Sequence, residues 1–220
     1  MNLKFFAGVS TGVMLALTGC ASGPKPADWQ LSSKSALERA QSAYLEGNNR
    51  VDLAETAKAK SDIASTGRID LMARAELLAC ASRVASLVFE PCAGFEKLRQ
   101  DAPLAEVAYA DYLAGKLQPK DAALLPKNQQ TSALADMNSA QKAIINIADP
   151  LARLVASGVA LQEGRASPAV VQAAVDAASS QGWKRPLLAW LGVQLKLAEA
   201  AQDRAEAARI QRRITLVLNP

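Results

Sequence analysis

No histidine occurs anywhere in the 220 residues of this chain. That single absence removes the Ser-His-Asp and Cys-His nucleophile systems, histidine metal sites and the commonest general base together. Aromatic residues are scarce, and so are runs of Val, Ile and Thr, so no convincing strand can be drawn. Without a strand, no Gly-rich phosphate loop can follow one. Neither Cys-x-x-Cys spacing nor a histidine partner accompanies the cysteines, which are poorly placed for redox or metal chemistry. A carboxylate pair of glycosidase type is the chemistry left open. The candidates, Glu96 with Asp101 and Asp203 with Glu206, stand among Lys and Arg at helix starts or on solvated faces, where acidic side chains serve the helix. The sequence therefore points to no catalytic residue, no metal and no cofactor.

What is abundant is Ala, Leu, Gln, Glu, Lys and Arg, the composition of an all-α protein. The first segment is different. Lys4 precedes an apolar stretch from Phe5 to Leu17, too short for a permanent membrane span and laid out like a secretory signal peptide. It ends Leu17-Thr18-Gly19-Cys20, and there the sequence resembles the bacterial lipoproteins, whose lipobox reads aliphatic, small, Gly or Ala, then Cys. The resemblance implies cleavage after residue 19, acylation of Cys20 on sulfur and then on its new amine, and stable attachment to the membrane by several acyl chains. Ala21, where Asp would imply retention in the inner membrane, implies the bacterial outer membrane, with the body expected to face the periplasm. Residues 20–28 then read as a lipidated tether rich in Gly, Pro and small residues. Residues 29–220 are expected to form a single domain.

Helix signals recur through that domain. Ser35 with Glu38 reads as a capping box before Leu37, Ala40, Tyr44 and Leu45, closed by Gly47. Asn49 is placed to cap a second helix ending near Ser65 and Gly67. A third, from Ile69 through Leu71, Ala75, Leu77, Leu78, Ala81 and Val84, is apolar nearly all round and should lie between neighbours. A second trio follows the same plan. Ser167-Pro168 starts one helix that Gly182 ends, Arg185-Pro186 starts the next, and Asp203 caps the last. Its middle helix should be the inner one.

Successive starts within each trio are read about 15 to 18 residues apart, close to half the roughly 34-residue tetratricopeptide period. Ala40, Ala43, Tyr44 and Gly47-Asn48 resemble the first helix and turn of a tetratricopeptide unit, and Leu191-Gly192 with Ala201-Gln202-Asp203 and Ala205 resembles its close. The departures are a gap about one turn too long, Gln202 where Gly is usual, and no Pro after the second helix. The expected architecture is antiparallel helical hairpins, as a tetratricopeptide-like repeat or an α-bundle.

Between the trios, Pro91, Pro103, Pro119 and Pro126 make an irregular middle near 91–130. It holds a helix through Leu104, Val107, Ala108 and Leu113. A longer helix through Leu134, Met137, Ile144 and Ile145 follows, then one capped by Asp149-Pro150. The stretch from Leu117 to Gln130 reads as an exposed loop or joint.

With Cys20 acylated, Cys80 and Cys92 form an even pair in an oxidising compartment and read as a structural disulfide worth roughly 2 to 3 kcal/mol. A helix unbroken to Phe89 would put Cys80 about 13 Å from its end. The bond therefore requires the chain to leave helix before Phe89 and double back through Glu90-Pro91.

For binding, the sequence singles out Trp183, in a turn read as exposed with Lys184 and Arg185, and Arg209, Arg212 and Arg213 on the last helix. These arginines suit anionic lipid headgroups or an acidic partner, and cations also suit a helix C-terminus. Nucleic acid is excluded as a partner by the expected compartment. The leading expectation is a non-catalytic periplasmic scaffold or adaptor that holds an envelope protein partner on its helical surfaces, concentrated by its anchor. Tetratricopeptide lipoproteins commonly serve as such adaptors, which is the support the resemblance lends. The alternative is a cell-wall or small-ligand binding protein in which residues 113–130 close over a pocket; a carboxylate enzyme is the third class.

Overall fold

The computed structural model describes residues 25–134 and 137–219, so the lipobox through Cys20 and Ala21 lies outside the described residues. Eleven α-helices follow one another with no strand among the described residues. They are α1 Asp28–Glu46, α2 Asn49–Ala64, α3 Ile69–Ala85, α4 Ala93–Glu96, α5 Leu104–Leu113, α6 Lys127–Leu134, α7 Met137–Ile145, α8 Pro150–Gln162, α9 Pro168–Ser180, α10 Lys184–Ala200 and α11 Arg204–Leu218. Two 3-10 turns, Arg99–Asp101 and Pro119–Leu124, flank α5. The fold is all-α.

Local chemistry sets most of these ends. Asp149 Oδ1 accepts from the Ala152 N–H at 2.6 Å, Ser167 Oγ from Val170 N–H at 3.4 Å and Asp203 Oδ1 from Glu206 N–H at 3.0 Å, each satisfying a donor the helix start leaves open. Gly47 closes α1 at φ +92°, a backbone conformation that a side chain resists. Two starts differ from the sequence reading. Ser35 lies inside α1, which begins about two turns earlier, with Gln30 Oε1 accepting from Ala27 N–H. Asn48, the neighbour of Asn49, caps α2 through Val51 N–H. The starts of α1, α2 and α3, at residues 28, 49 and 69, lie farther apart than the expected 15 to 18 residues.

α1 and α2 pack along each other across the short Gly47-Asn48 turn, and α9, α10 and α11 pack in succession. The centre lies elsewhere. α3 packs on α8 and α5, α8 also packs on α9, and α1 reaches α10, which ties the two ends of the chain together. Leu77 and Val84 of α3, Leu154, Val155 and Val159 of α8, Val171 and Val175 of α9, and Trp190 and Leu191 of α10 share one core. α3 is buried between neighbours, as its all-round apolar pattern predicts.

In the C-terminal half the inner positions belong to α8 and α9. Every α8 residue from Leu154 to Ala160 is buried, whereas α10 leaves Leu197 exposed on its outer side. Small residues explain this placement. A Cβ at Gly158 would stand 2.4 Å from the carbonyl oxygen of Val84, so α3 and α8 approach at a distance only glycine permits.

Pro103 stands just before α5, Pro119 opens the second 3-10 turn and Pro126 precedes α6. The segment 117–130 is exposed at most of its positions, as expected, but it is a 3-10 turn followed by the start of α6 and not an open loop. Ala122, Leu125 and Gln129 are its buried members: the 3-10 turn that carries Ala122 packs on α5 and α6, and Gln129 of α6 is bonded to Tyr112 and to Ala152. Cys80 and Cys92 are bonded with Cα atoms 5.9 Å apart. The chain leaves α3 at Ala85, turns at Leu87 with φ +60°, and returns through Glu90-Pro91, which is the reversal that the pairing requires.

Candidate functional site

A cavity of about 490 Å3 with largely apolar walls opens between α3, α5, α6 and α8. Leu77, Leu78 and Ala81 from α3, Leu151, Ala152 and Val155 from α8, and Leu124, Leu125 and Pro126 before α6 line it. That volume falls within the range of small-molecule sites, which are mostly apolar with a few placed polar groups.

Those polar groups come from four elements. Glu106 and Tyr109 are one turn apart on α5 and so share a face. Arg74 arrives from α3, Asn128 and Gln129 from α6, and Asp149 from the cap of α8. Gln129 is fixed at both ends: its Oε1 accepts from the Tyr112 hydroxyl at 2.7 Å and its Nε2 donates to Ala152 O at 2.9 Å. Tyr109 and Tyr112 stack with ring centroids 6.1 Å apart. Burial pushes both phenols above their ordinary range, so they stay neutral hydrogen-bonding groups at any ordinary pH.

Glu106 is the unusual member. Its side chain is 7% exposed, and Oε1 accepts from Arg74 Nε, whose own side chain is largely in solvent. Glu106 Oε2 is buried with no hydrogen-bond partner. A carboxylate oxygen left unpaired away from water is costly, and native structures leave few of them.

Comparison with protein-family models, with curated proteins and with solved structures finds no match for this chain. The chemistry of its surfaces is therefore read from its own residues.

The binding residues expected from the sequence lie away from this cavity. Trp183 is half-buried against the main core, and Arg185 turns inward: its Nε donates to Tyr44 O at 2.6 Å, another of its nitrogens reaches Asn49, and its guanidinium lies 4.3 Å from the Tyr44 ring centroid. The turn at 183–185 is a joint between the two ends of the chain, not an exposed anchor. On α11, Arg209 is paired with Glu206, Arg212 is exposed and Arg213 is partly buried. No hydrogen bond or ring contact joins Trp183 to these arginines among the described residues.

Of the carboxylates considered for catalysis, Glu96 and Glu206 are held by arginines, Asp203 caps α11 and Asp101 is exposed. Arg99 holds Glu96 at 2.7 Å and Asp111 at 2.9 Å, and its hydrogen bond keeps Glu96 below the ordinary carboxylate range. Arg209 does the same to Glu206. Both shifts run opposite to what a general acid needs. No group of three or more metal-ligating side chains occurs among the described residues, and no helix there is long and apolar enough to cross a membrane.

The sequence reading missed the cavity residues Arg74, Glu106, Tyr109, Gln129 and Asp149 as a set. One local signal was present: Glu106 is followed by Val107, Ala108, Tyr109 and Ala110 in a helix whose one other charged residue is Asp111. Its meaning depends on α3 and α8, which lie far away in sequence.

Proposed function

We propose that this chain is a lipid-anchored protein of the bacterial outer membrane, facing the periplasm, that holds a small, largely apolar ligand without transforming it. The observation that carries the ligand reading is the 490 Å3 cavity, with leucine walls and an unpartnered carboxylate oxygen on a residue that lines it. Leu124, Leu125 and Pro126, from the segment expected to close over a pocket, are among the residues that line that cavity. The anchor rests on Leu17-Thr18-Gly19-Cys20 and the apolar run before it.

Native mass spectrometry of the protein extracted from membranes tests both parts. Acyl mass on a chain beginning at Cys20, and a further non-covalent mass released on unfolding, are the expected results. An unmodified N-terminus removes the anchor. An empty protein in repeated gentle extractions, together with no response to apolar probes, removes the ligand.

A second reading, the adaptor for an envelope protein, is favoured by α11. That helix packs on α10 through Ile210 and leaves Arg209, Arg212 and Leu216 exposed along its outer side, Leu216 at 70%. Crosslinking in intact envelopes, comparing the native chain with Cys20→Ser, distinguishes it. A specific protein captured only by the acylated form supports the adaptor, and equal background in both forms opposes it.

A further inference from the structure

We infer that the cavity between α3, α5, α6 and α8 selects a ligand whose apolar body ends in a protonated amine, with Glu106 as the acceptor of that headgroup. The inference rests on the ligand-binding reading above and specifies the ligand's chemical class.

Three observations lead to it. The walls are Leu77, Leu78, Leu151 and Val155, which reward an apolar body with burial. The charged groups that line the cavity are Arg74, Glu106 and Asp149, and no lysine adds to them, so their sum is one negative charge. Glu106 Oε2 lacks any partner, and a carboxylate oxygen paired with a guanidinium on its other oxygen is an acceptor only. A ligand that fills this space and satisfies these groups must donate hydrogen bonds, and a cation balances the charge as well.

Arg74 explains how an enclosed oxygen becomes reachable. It approaches the carboxylate from the rim, and its side chain is 65% exposed. A small shift of that exposed side chain opens a path to Glu106, and an entering ammonium takes the free Oε2 while the guanidinium keeps Oε1, so that the single negative charge of the lining is balanced. A carboxylate or phosphate headgroup finds the reverse situation: Arg74 is already engaged, and Glu106 and Asp149 repel it. Asp149 Oδ1 is occupied by the Ala152 N–H and Asp149 itself is exposed to water, so the buried acceptor that lacks a partner is on Glu106.

The test follows the methyl NMR signals of Leu77, Leu151 and Val155 in the full-length chain during titration with octylamine, 1-octanol and octanoate, three probes with the same apolar chain length. Octylamine is expected to move these methyls to saturation with roughly tenfold or greater affinity over octanol, the ratio expected for a hydrogen bond to a charged group, and octanoate is expected to bind most weakly. Glu106→Gln should bring octylamine down to the level of octanol while octanol itself is unchanged. Equal binding of all three probes, or undiminished amine preference in Glu106→Gln, overturns the headgroup assignment and leaves the cavity as an apolar site. If none of the probes moves these methyls, the ligand-binding reading itself falls. The comparison of probes on the unaltered chain decides the matter even if the variant folds poorly.

Discussion

The indole nitrogen of Trp190 donates to the carbonyl oxygen of Ala85 at 3.0 Å, linking a fully buried residue in α10 to the last residue of α3. Ala85 is one of the residues whose carbonyls a helix end leaves without a partner inside the helix, so a side chain 105 residues away completes the C-terminus of α3. Replacing Trp190 with Phe leaves that buried carbonyl unpaired and opens space in the core. A loss of about 2 to 4 kcal/mol is expected, read by urea unfolding followed by circular dichroism. A loss under about 0.5 kcal/mol would mean that water takes over the carbonyl.

Gly158 is the second long-range dependency. Its added Cβ would meet Val84 O at 2.4 Å and Val84 Cγ1 at 3.0 Å, and the first of these is backbone that cannot turn aside. Gly158→Ala is expected to destabilise by about 1 to 3 kcal/mol despite alanine's better helix propensity. Gly192 is its control. A Cβ there meets nothing within 4 Å, so Gly192→Ala should be stabilising by up to about 1 kcal/mol. Thermal unfolding of both variants checks the pair, and equal shifts in the same direction would contradict the close approach of α3 and α8.

The left-handed turns after α3 and α10 predict opposite outcomes for the same substitution. Gln202 is exposed at φ +56°, donating to Glu199 O, while Asp203 donates back to Ala198 O. Gln202→Gly should stabilise by about 1 kcal/mol, since glycine adopts this conformation without a Cβ penalty. Leu87 sits at φ +60° and also packs against the core, so Leu87→Gly loses more burial than it gains in backbone freedom and should destabilise. Chemical denaturation midpoints of the two variants should move in opposite directions.

Reduction of the Cys80–Cys92 bond is expected to lower stability by about 3 kcal/mol, the chain-entropy value for a loop of this length, without abolishing the fold. Urea midpoints with and without reductant measure it. An unchanged midpoint would show that the packing of Phe95 and the return segment already constrains the loop.

The pH profile should be flat near neutrality and fall in acid. No histidine is present to titrate near neutral pH. The hydrogen bond from Arg68 holds Asp70 down to about 2, and Arg39, Arg99 and Arg209 hold Glu55, Glu96 and Glu206 below their ordinary range. Protons therefore bind the unfolded chain more readily than the folded one. The contribution is complete above the unfolded carboxylate range and is lost as pH falls through the lower folded values. These pairs lie near the surface and screening reduces their worth, so each loss is modest. Melting temperatures should agree between pH 6 and 8 and drop between about pH 5 and 2; a rise in that acid window would contradict the pairings.

Part of the fold is legible in the residues alone. Asp149-Pro150, Ser167-Pro168, Asp203, Gly47 and Gly182 state where helices begin and end because the requirement is met within three or four residues of backbone. Cys80 and Cys92 announce a chain reversal for the same reason. Ser35 misleads because a good capping residue is also tolerated inside a helix once Ala27, Asp28 and Gln30 have started it earlier. Leu117 to Gln130 misleads only in part, because proline and polar residues rightly mark an exposed break between long helices but do not reveal that Ala122, Leu125 and Gln129 turn inward.

By itself, then, the sequence determined an all-α chain, the positions of most helix ends and the pairing of Cys80 with Cys92, all of which follow from interactions between near neighbours. Only the tertiary structure decided that α8 lies at the centre, that Arg185 joins α10 to α1, and that Glu106 lines a leucine-walled cavity with one oxygen unpaired. Those outcomes depend on which apolar faces meet and on how closely small residues such as Gly158 let them approach. Helical periodicity encodes that each face must be buried, but it does not name the partner that buries it.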